Sequence, residues 1–118
     1  MTEKFVYADY IQTAKEMSTW LRTKQNCDLV IALTHMRVPN DRLLAESVSE
    51  IDFILGGHDH MYIAEVCEKT GVVVIKSGTD FEEFSDIRVE LEISEKQAAD
   101  ALAKANGKNA SIKLLYSK

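Results

Sequence analysis

One proline, five glycines and two cysteines in 118 residues leave little scope for linkers, low-complexity arms or a disulfide scaffold. No apolar run approaches the roughly 20 residues that cross a bilayer, and Met1–Val6 carries no signal-peptide pattern. Basic residues are in the minority, 14 Lys and Arg against 19 Asp and Glu, and they form no run. The resulting net charge of −5 argues against nucleic acid or an anionic membrane as partner. Cys27 and Cys67 lack CxxC spacing and read as small buried hydrophobes, so a reducing compartment, the cytoplasm, is favoured. What remains, 46% hydrophobic and 28% charged residues, is the composition of a soluble globular protein. Its length suits one domain over residues 1–118.

The chain is organised around Asp28–His60. Two apolar, largely β-branched runs, Leu29–Leu33 and Ile51–Leu55, each end at histidine: Thr34-His35 after the first, Gly56-Gly57-His58-Asp59-His60 after the second. Between them Pro39-Asn40 opens a helical pattern with Leu44, Val48 and Ile51 on one face, Asn40 being a good N-cap and Asp41 suiting the first turn. Strand, helix, strand of this length predicts a βαβ crossover with parallel strands and both loops at one sheet edge. Ligands of open α/β sheets collect outside the carboxyl ends of strands. All three histidines of the chain, His35, His58 and His60, fall there.

Three histidines could be scatter, but none lies within a strand run. Neutral imidazole is a common transition-metal ligand, and two histidines flanking one residue after a glycine pair can both turn inward. A metal site is the better explanation. Arg37, in the loop beyond His35, could donate to a bound phosphate or remain a solvated charge. Asp59, between two candidate ligands, could hold one of them in orientation from behind.

Elsewhere, Asp9–Gln25 predicts an amphipathic helix capped by Asp9, with Ile11, Ala14, Met17 and Leu21 inward and Asn26 as its stop. Asp28–Leu33, continuously apolar after its first residue, predicts a strand buried on both faces. Tyr62–Glu68 and Val72–Lys76, joined through Thr70-Gly71, predict a hairpin. Asp86–Ile93 alternates strictly, as a half-exposed antiparallel strand does; Ser94–Ala105 carries a capping box and a helical face, and Ser111–Tyr116 reads as a strand. The fold class is therefore α/β, a mixed sheet with flanking helices.

These residues resemble a known family. Leu33-Thr34-His35 and Gly57-His58-Asp59-His60 resemble the Ser/Thr-His and Gly-His-X-His motifs of calcineurin-like metallophosphoesterases, closest to the 5′-nucleotidase branch. Asp41, Leu44-Ala45, Ile51-Asp52 and Ser77-Gly78-Thr79-Asp80-Phe81 agree with that branch, and the resemblance is strongest over residues 5–93. It implies the C-terminal half of a four-layer αββα sandwich. It also implies that His35 and His58 bind one metal of a dinuclear centre and His60 the other, with Zn, Mn, Fe or Mg as the divalent ion. Two metals about 3.5–4 Å apart would activate a bridging water for attack on a phosphate ester. The family's earlier motifs, Asp-X-His, Gly-Asp-X-X-Asp and Gly-Asn-His-Asp/Glu, are absent from this sequence.

The expected function is thus that of a fragment of a metal-dependent phosphoric ester hydrolase acting on a nucleotide monoester or other phosphate ester. As an isolated chain it is expected to be inactive or nearly so, and to associate, as a homodimer or larger assembly, through a sheet face left bare. The alternative is a non-enzymatic module of the same fold that binds a metal or a protein partner.

Overall fold

The structure, a computed structural model, describes residues 4–90 and the backbone of 115–117. The chain divides into two compact units, 1–83 and 84–118. The first opens with helix α1, Tyr10–Thr23, whose N-cap is Asp9; its carboxylate accepts from the Gln12 backbone N–H at 2.8 Å. Asn26, at φ 54°, takes the left-handed conformation expected of a stop just past the helix end. The buried face of α1 is not quite the expected one. Ile11, Ala14 and Leu21 pack on the core, but Met17 is exposed and Ser18 buried. At 100° per residue, Ser18 lies about 20° from the Ile11 direction and Met17 about 120° from it. Hydrophobicity favoured Met17; angle favoured Ser18.

Strand β1, Ile31–Thr34, is followed by helix α2, Val38–Ser47, and strand β2, Phe53–Gly56. The two strands pair in parallel, Ile31 with Phe53 through Thr34 with Gly56, as the crossover requires. Strands β3, Tyr62–Val66, and β4, Val73–Ser77, form the antiparallel hairpin. Gly71 at its turn has φ +78° and donates to Cys67 O at 2.7 Å. β4 inserts beside β2 in parallel, giving the order β1-β2-β4-β3. The mixed four-stranded sheet with two helices is that of an α/β protein and is compatible with half of a metallophosphoesterase sandwich.

Both helices serve the same core. Leu44, Ala45 and Val48 of the α2 region meet Val30, Ile54, Val72 and Val74 of the sheet, with Tyr10, Ile11, Ala14 and Leu21 of α1 packed on this cluster. The sheet residues are those of one face, two apart along each strand. On the other face Phe53, Val73 and Ile75 are also buried, so the centre of the sheet is not bare. β1 differs from expectation. Leu33 is 87% and Ile31 51% exposed. A continuous apolar run suggests a central strand, but β1 lies at an edge of this sheet, where one of its faces is open.

Arg22 anchors α1 to the base of the sheet. It donates to Glu50 O at 2.8 Å and pairs with Asp52 at 2.6 Å, while Asp52 also accepts from Val30 N–H at 2.9 Å. Cys27 and Cys67 are free thiols and half-buried, less enclosed than the buried hydrophobes expected from the sequence.

The second unit contains β5, Asp86–Arg88, paired antiparallel with β6, Leu115–Ser117. Asp86 and Arg88 are exposed and Ile87 half-buried, as alternation requires, but the strand stops at Arg88 and Val89, expected on the same side as Ile87, is exposed. The expected helix over 94–105, and the strand residues 91–93 and 111–114, lie outside the described residues.

Ile54, with no exposed surface, and Leu33, almost fully exposed, give the packing a direct test. Ile54→Ala should destabilise unit 1 by about 2–5 kcal/mol, whereas Leu33→Ala should fall within about 0.5 kcal/mol of the parent. Urea unfolding followed by circular dichroism measures both. Equal losses at the two positions would mean that β1 is not an edge strand.

Candidate functional site

β1 and β2 end together, and Gly57 N–H donating to Thr34 O at 2.9 Å is a last link between their exits. His35 follows β1 directly; His58 lies two residues beyond β2. Their exposed rings meet edge to face, centroids 5.2 Å apart and planes at 83°. The parallel register thus brings together two histidines 23 positions apart in sequence.

The glycines before His58 do not act through backbone freedom. Neither has positive φ; the left-handed residue is His58 itself, at φ 77°. At Gly57 a Cβ would stand 2.8 Å from His35 Nδ1, so its absence makes space for that ring. At Gly56 a Cβ would stand 2.9 Å from Lys76 Cε and 3.0 Å from Asp41 Oδ2. These glycines clear the way for side chains of neighbouring elements.

Beneath the histidine loops lies a buried ionic cluster. Lys76, 1% exposed, sends Nζ to Met36 O at 2.6 Å, Gly57 O at 2.8 Å and Asp59 Oδ2 at 3.3 Å. Asp41 Oδ2 lies 2.8 Å from Nζ in an ionic contact outside hydrogen-bond geometry, and Asp41 Oδ1 accepts from Thr34 Oγ1 at 2.6 Å. Asp41 is therefore in the first turn of α2 as expected, but its charge answers an ammonium as well as the helix terminus.

Asn40 is not the N-cap. Arg37 is, without a side-chain cap of its own, and Pro39 follows in the first turn. The Val38 N–H, which such a start leaves without a partner in the helix, is taken by Asp59 Oδ2 at 2.5 Å. That bond, ahead of the contact with Lys76, holds the Asp59 carboxyl below its ordinary range, against the opposing effect of desolvation. Asp59 thus joins the His58 loop to the start of α2. Arg37 is exposed in the loop after His35.

His60 is exposed, and among the described residues no three His, Cys, Asp or Glu side chains converge as a metal site requires. His35 and His58 are two imidazoles in ring contact, and the described residues do not make up the donor set of a dinuclear centre. The part that sequence inspection passed over is Lys76. Its signal was a lysine at the third inward position of an otherwise apolar strand, after Val72 and Val74. Such a lysine requires a buried counter-charge.

The chain is similar to parts of longer proteins, two of which are named as phosphoesterases. It is 39% identical over 61 residues to the protein named apyrase of Tabanus yao, an alignment covering 51% of this chain and 11% of the apyrase. It is 28% identical over 96 residues to the trifunctional nucleotide phosphoesterase protein YfkN of Bacillus subtilis (strain 168), covering 80% of this chain and 6% of that protein. It is 33% identical over 66 residues to the uncharacterized metallophosphoesterase YunD of the same organism, covering 56% and 14% respectively. The chain thus spans between 6% and 14% of the length of these relatives. No family model matches the chain, and no solved structure does.

Gly57→Ala tests the pairing of the rings. Alanine is compatible with the backbone there, yet its Cβ would displace His35. The variant should lose the nuclear Overhauser contact between the His35 and His58 rings, with a stability change of about 1 kcal/mol or less because His35 is exposed and can swing outward. Survival of the ring contact would show that His35 does not depend on the space at Gly57.

Proposed function

We propose that this chain is a share of a metal-dependent phosphoric ester hydrolase, with a nucleotide monoester as the substrate class. The observation that carries this is the His35–His58 contact at the carboxyl ends of adjacent parallel strands. Similarity to nucleotide phosphoesterases and a metallophosphoesterase supports it. A divalent cation, when bound, would supply Lewis-acid polarisation of a phosphoryl oxygen. The chain's own part is to present His35 and His58 as nitrogen donors to that cation and His60 as a donor to a second. These histidines act as ligands, since an imidazole nitrogen bound to metal has no lone pair left for proton transfer. Arg37 is exposed beyond His35 and, in this proposal, neutralises an ester phosphate. Asp59 is a supporting residue, fixing the His58 loop against Val38.

In this proposal the remaining donors, including the bridging carboxylate, come from outside these residues. Hydrolysis of p-nitrophenyl phosphate or AMP by the chain alone, with Mn²⁺, Zn²⁺ or Mg²⁺ added, should stay far below the usual enzyme median of about 10 s⁻¹. Turnover near that rate, retained through purification to a single mass, would refute it. Calorimetry should show weak binding of one Zn²⁺ that is lost in His35→Ala and His58→Ala. Unchanged binding in both variants would remove the histidines from the site.

A second function, a binding module that works through association, is favoured by the exposed Ile31 and Leu33 on the edge strand β1. An open apolar edge invites strand pairing with another chain. Light scattering at micromolar concentration should then give a dimer or larger assembly that Leu33→Lys dissociates. A monomer that binds no hydrophobic dye would exclude this function.

A further inference from the structure

We propose that Lys76 is a tethered internal cation that positions the His35–His58 pair by tying together the two loops that carry it. The side chain leaves β4 on the helix-covered face, passes the vacant side of Gly56 and ends beneath the strand exits. Its three hydrogen bonds have a specific distribution. Met36 O belongs to the residue after His35, Gly57 O to the residue before His58, and Asp59 Oδ2 to the residue after His58. The ladder between β1 and β2 ends with Gly57 N–H donating to Thr34 O at 2.9 Å, one residue before each histidine, so neither histidine is itself paired. Beyond it the loops are linked by the ammonium of Lys76 and, through the start of α2, by the Asp59–Val38 bond.

An ammonium suits this position for chemical reasons. It offers three donors radiating from one atom and accepts nothing, so it can serve three oxygens that arrive from different segments. A backbone N–H could satisfy only one of them. A guanidinium is planar and larger, and Gly56 leaves space for a slim aliphatic stem: its absent Cβ would already touch Lys76 Cε and Cγ at 2.9 and 3.2 Å. The simpler explanation is that Lys76 neutralises Asp41 and no more. That explanation accounts for the 2.8 Å ionic contact but not for the two carbonyl bonds at 2.6 and 2.8 Å.

The consequence for function rests on the proposed role of His35 and His58, but the readouts that decide the role of Lys76 are free of metal. A failure of zinc binding in the intact chain would count against the histidines as ligands and would leave the ring contact to be judged by itself. In the unaltered chain, nitrogen-15 spectra should show Lys76 ammonium protons in slow exchange, with hydrogen-bond couplings to the carbonyl carbons of Met36 and Gly57. Lys76→Met should then lose the Overhauser contact between the His35 and His58 rings. In the double variant Asp41→Asn/Lys76→Met the uncompensated carboxylate is gone, so folding stability should recover while the ring contact stays absent. Fast ammonium exchange in the unaltered chain would overturn the proposal whether or not the variants fold. So would persistence of the ring contact in Lys76→Met, or its return in the double variant.

Discussion

A charged ammonium held out of water at Lys76 constrains everything at this end of the first unit. Burying an ion costs several kcal/mol even after relaxation, and the cost is offset only when its protons and charge are fully answered. Here three oxygens accept the three protons and Asp41 stands in ionic contact. That arrangement fixes more than one residue. Asp41 must turn inward from the first turn of α2, Thr34 must supply its hydroxyl to the second carboxylate oxygen, and Gly56 must lack a Cβ. Breaking one partner would strand a buried charge, which is why the cluster behaves as a unit. A hydrophobic replacement of the whole set could be as stable. It would not, however, bond Met36 O and Gly57 O, the two carbonyls beside the histidines.

The start of α2 shows how the same economy extends to the backbone. A helix leaves its first N–H groups unpaired, and a side chain at the N-cap ordinarily accepts one. Arg37 has no oxygen to offer. Asp59 comes from the opposite loop and accepts from Val38, and the same oxygen then faces Lys76. One carboxylate oxygen thereby links the helix, the His58 loop and the buried cation. His58 sits between Gly57 and Asp59, both of which are held, and this accounts for a non-glycine residue at φ 77°.

Most of the first unit was legible from residue pattern. Asp9 capped α1, the two apolar runs paired in parallel, and Thr70-Gly71 turned the hairpin, because each of these is dictated by local chemistry. What pattern could not show was position within the sheet. Leu29–Leu33 is as apolar as a central strand, yet β1 is at an edge, since strand order depends on β4 returning beside β2. Met17 and Ser18 illustrate a different limit, where the helical angle outweighed side-chain character. At the site, the histidines were found by their place at strand ends. Lys76 was not, because its partners Met36, Gly57 and Asp41 are far apart in sequence and two of them contribute only a carbonyl. Asp59 was noticed for its neighbours, but its bond to Val38 spans 21 residues and has no local signature.

The buried cluster also bears on why three donors do not converge. Near the histidines, the described residues include two carboxylates, Asp41 and Asp59. Asp41 is committed to Thr34 and Lys76, and Asp59 to Val38 and Lys76. Their charges answer an internal ammonium, Asp41 through a fully buried carboxylate and Asp59 through Oδ2, so neither charge is wholly at the disposal of a divalent ion. Neutral imidazoles alone supply no negative charge, and a centre of two divalent cations needs several such charges as well as a bridging oxygen. On the proposed function, the electrostatic requirements therefore divide cleanly. These residues hold two imidazoles in fixed relation through the Lys76 tie, and the anionic ligands must come from other elements. An arrangement that spent Asp41 and Asp59 on metal would leave the Lys76 ammonium buried with only the carbonyls of Met36 and Gly57 to answer it, a charge without its counter-charge beneath His35 and His58.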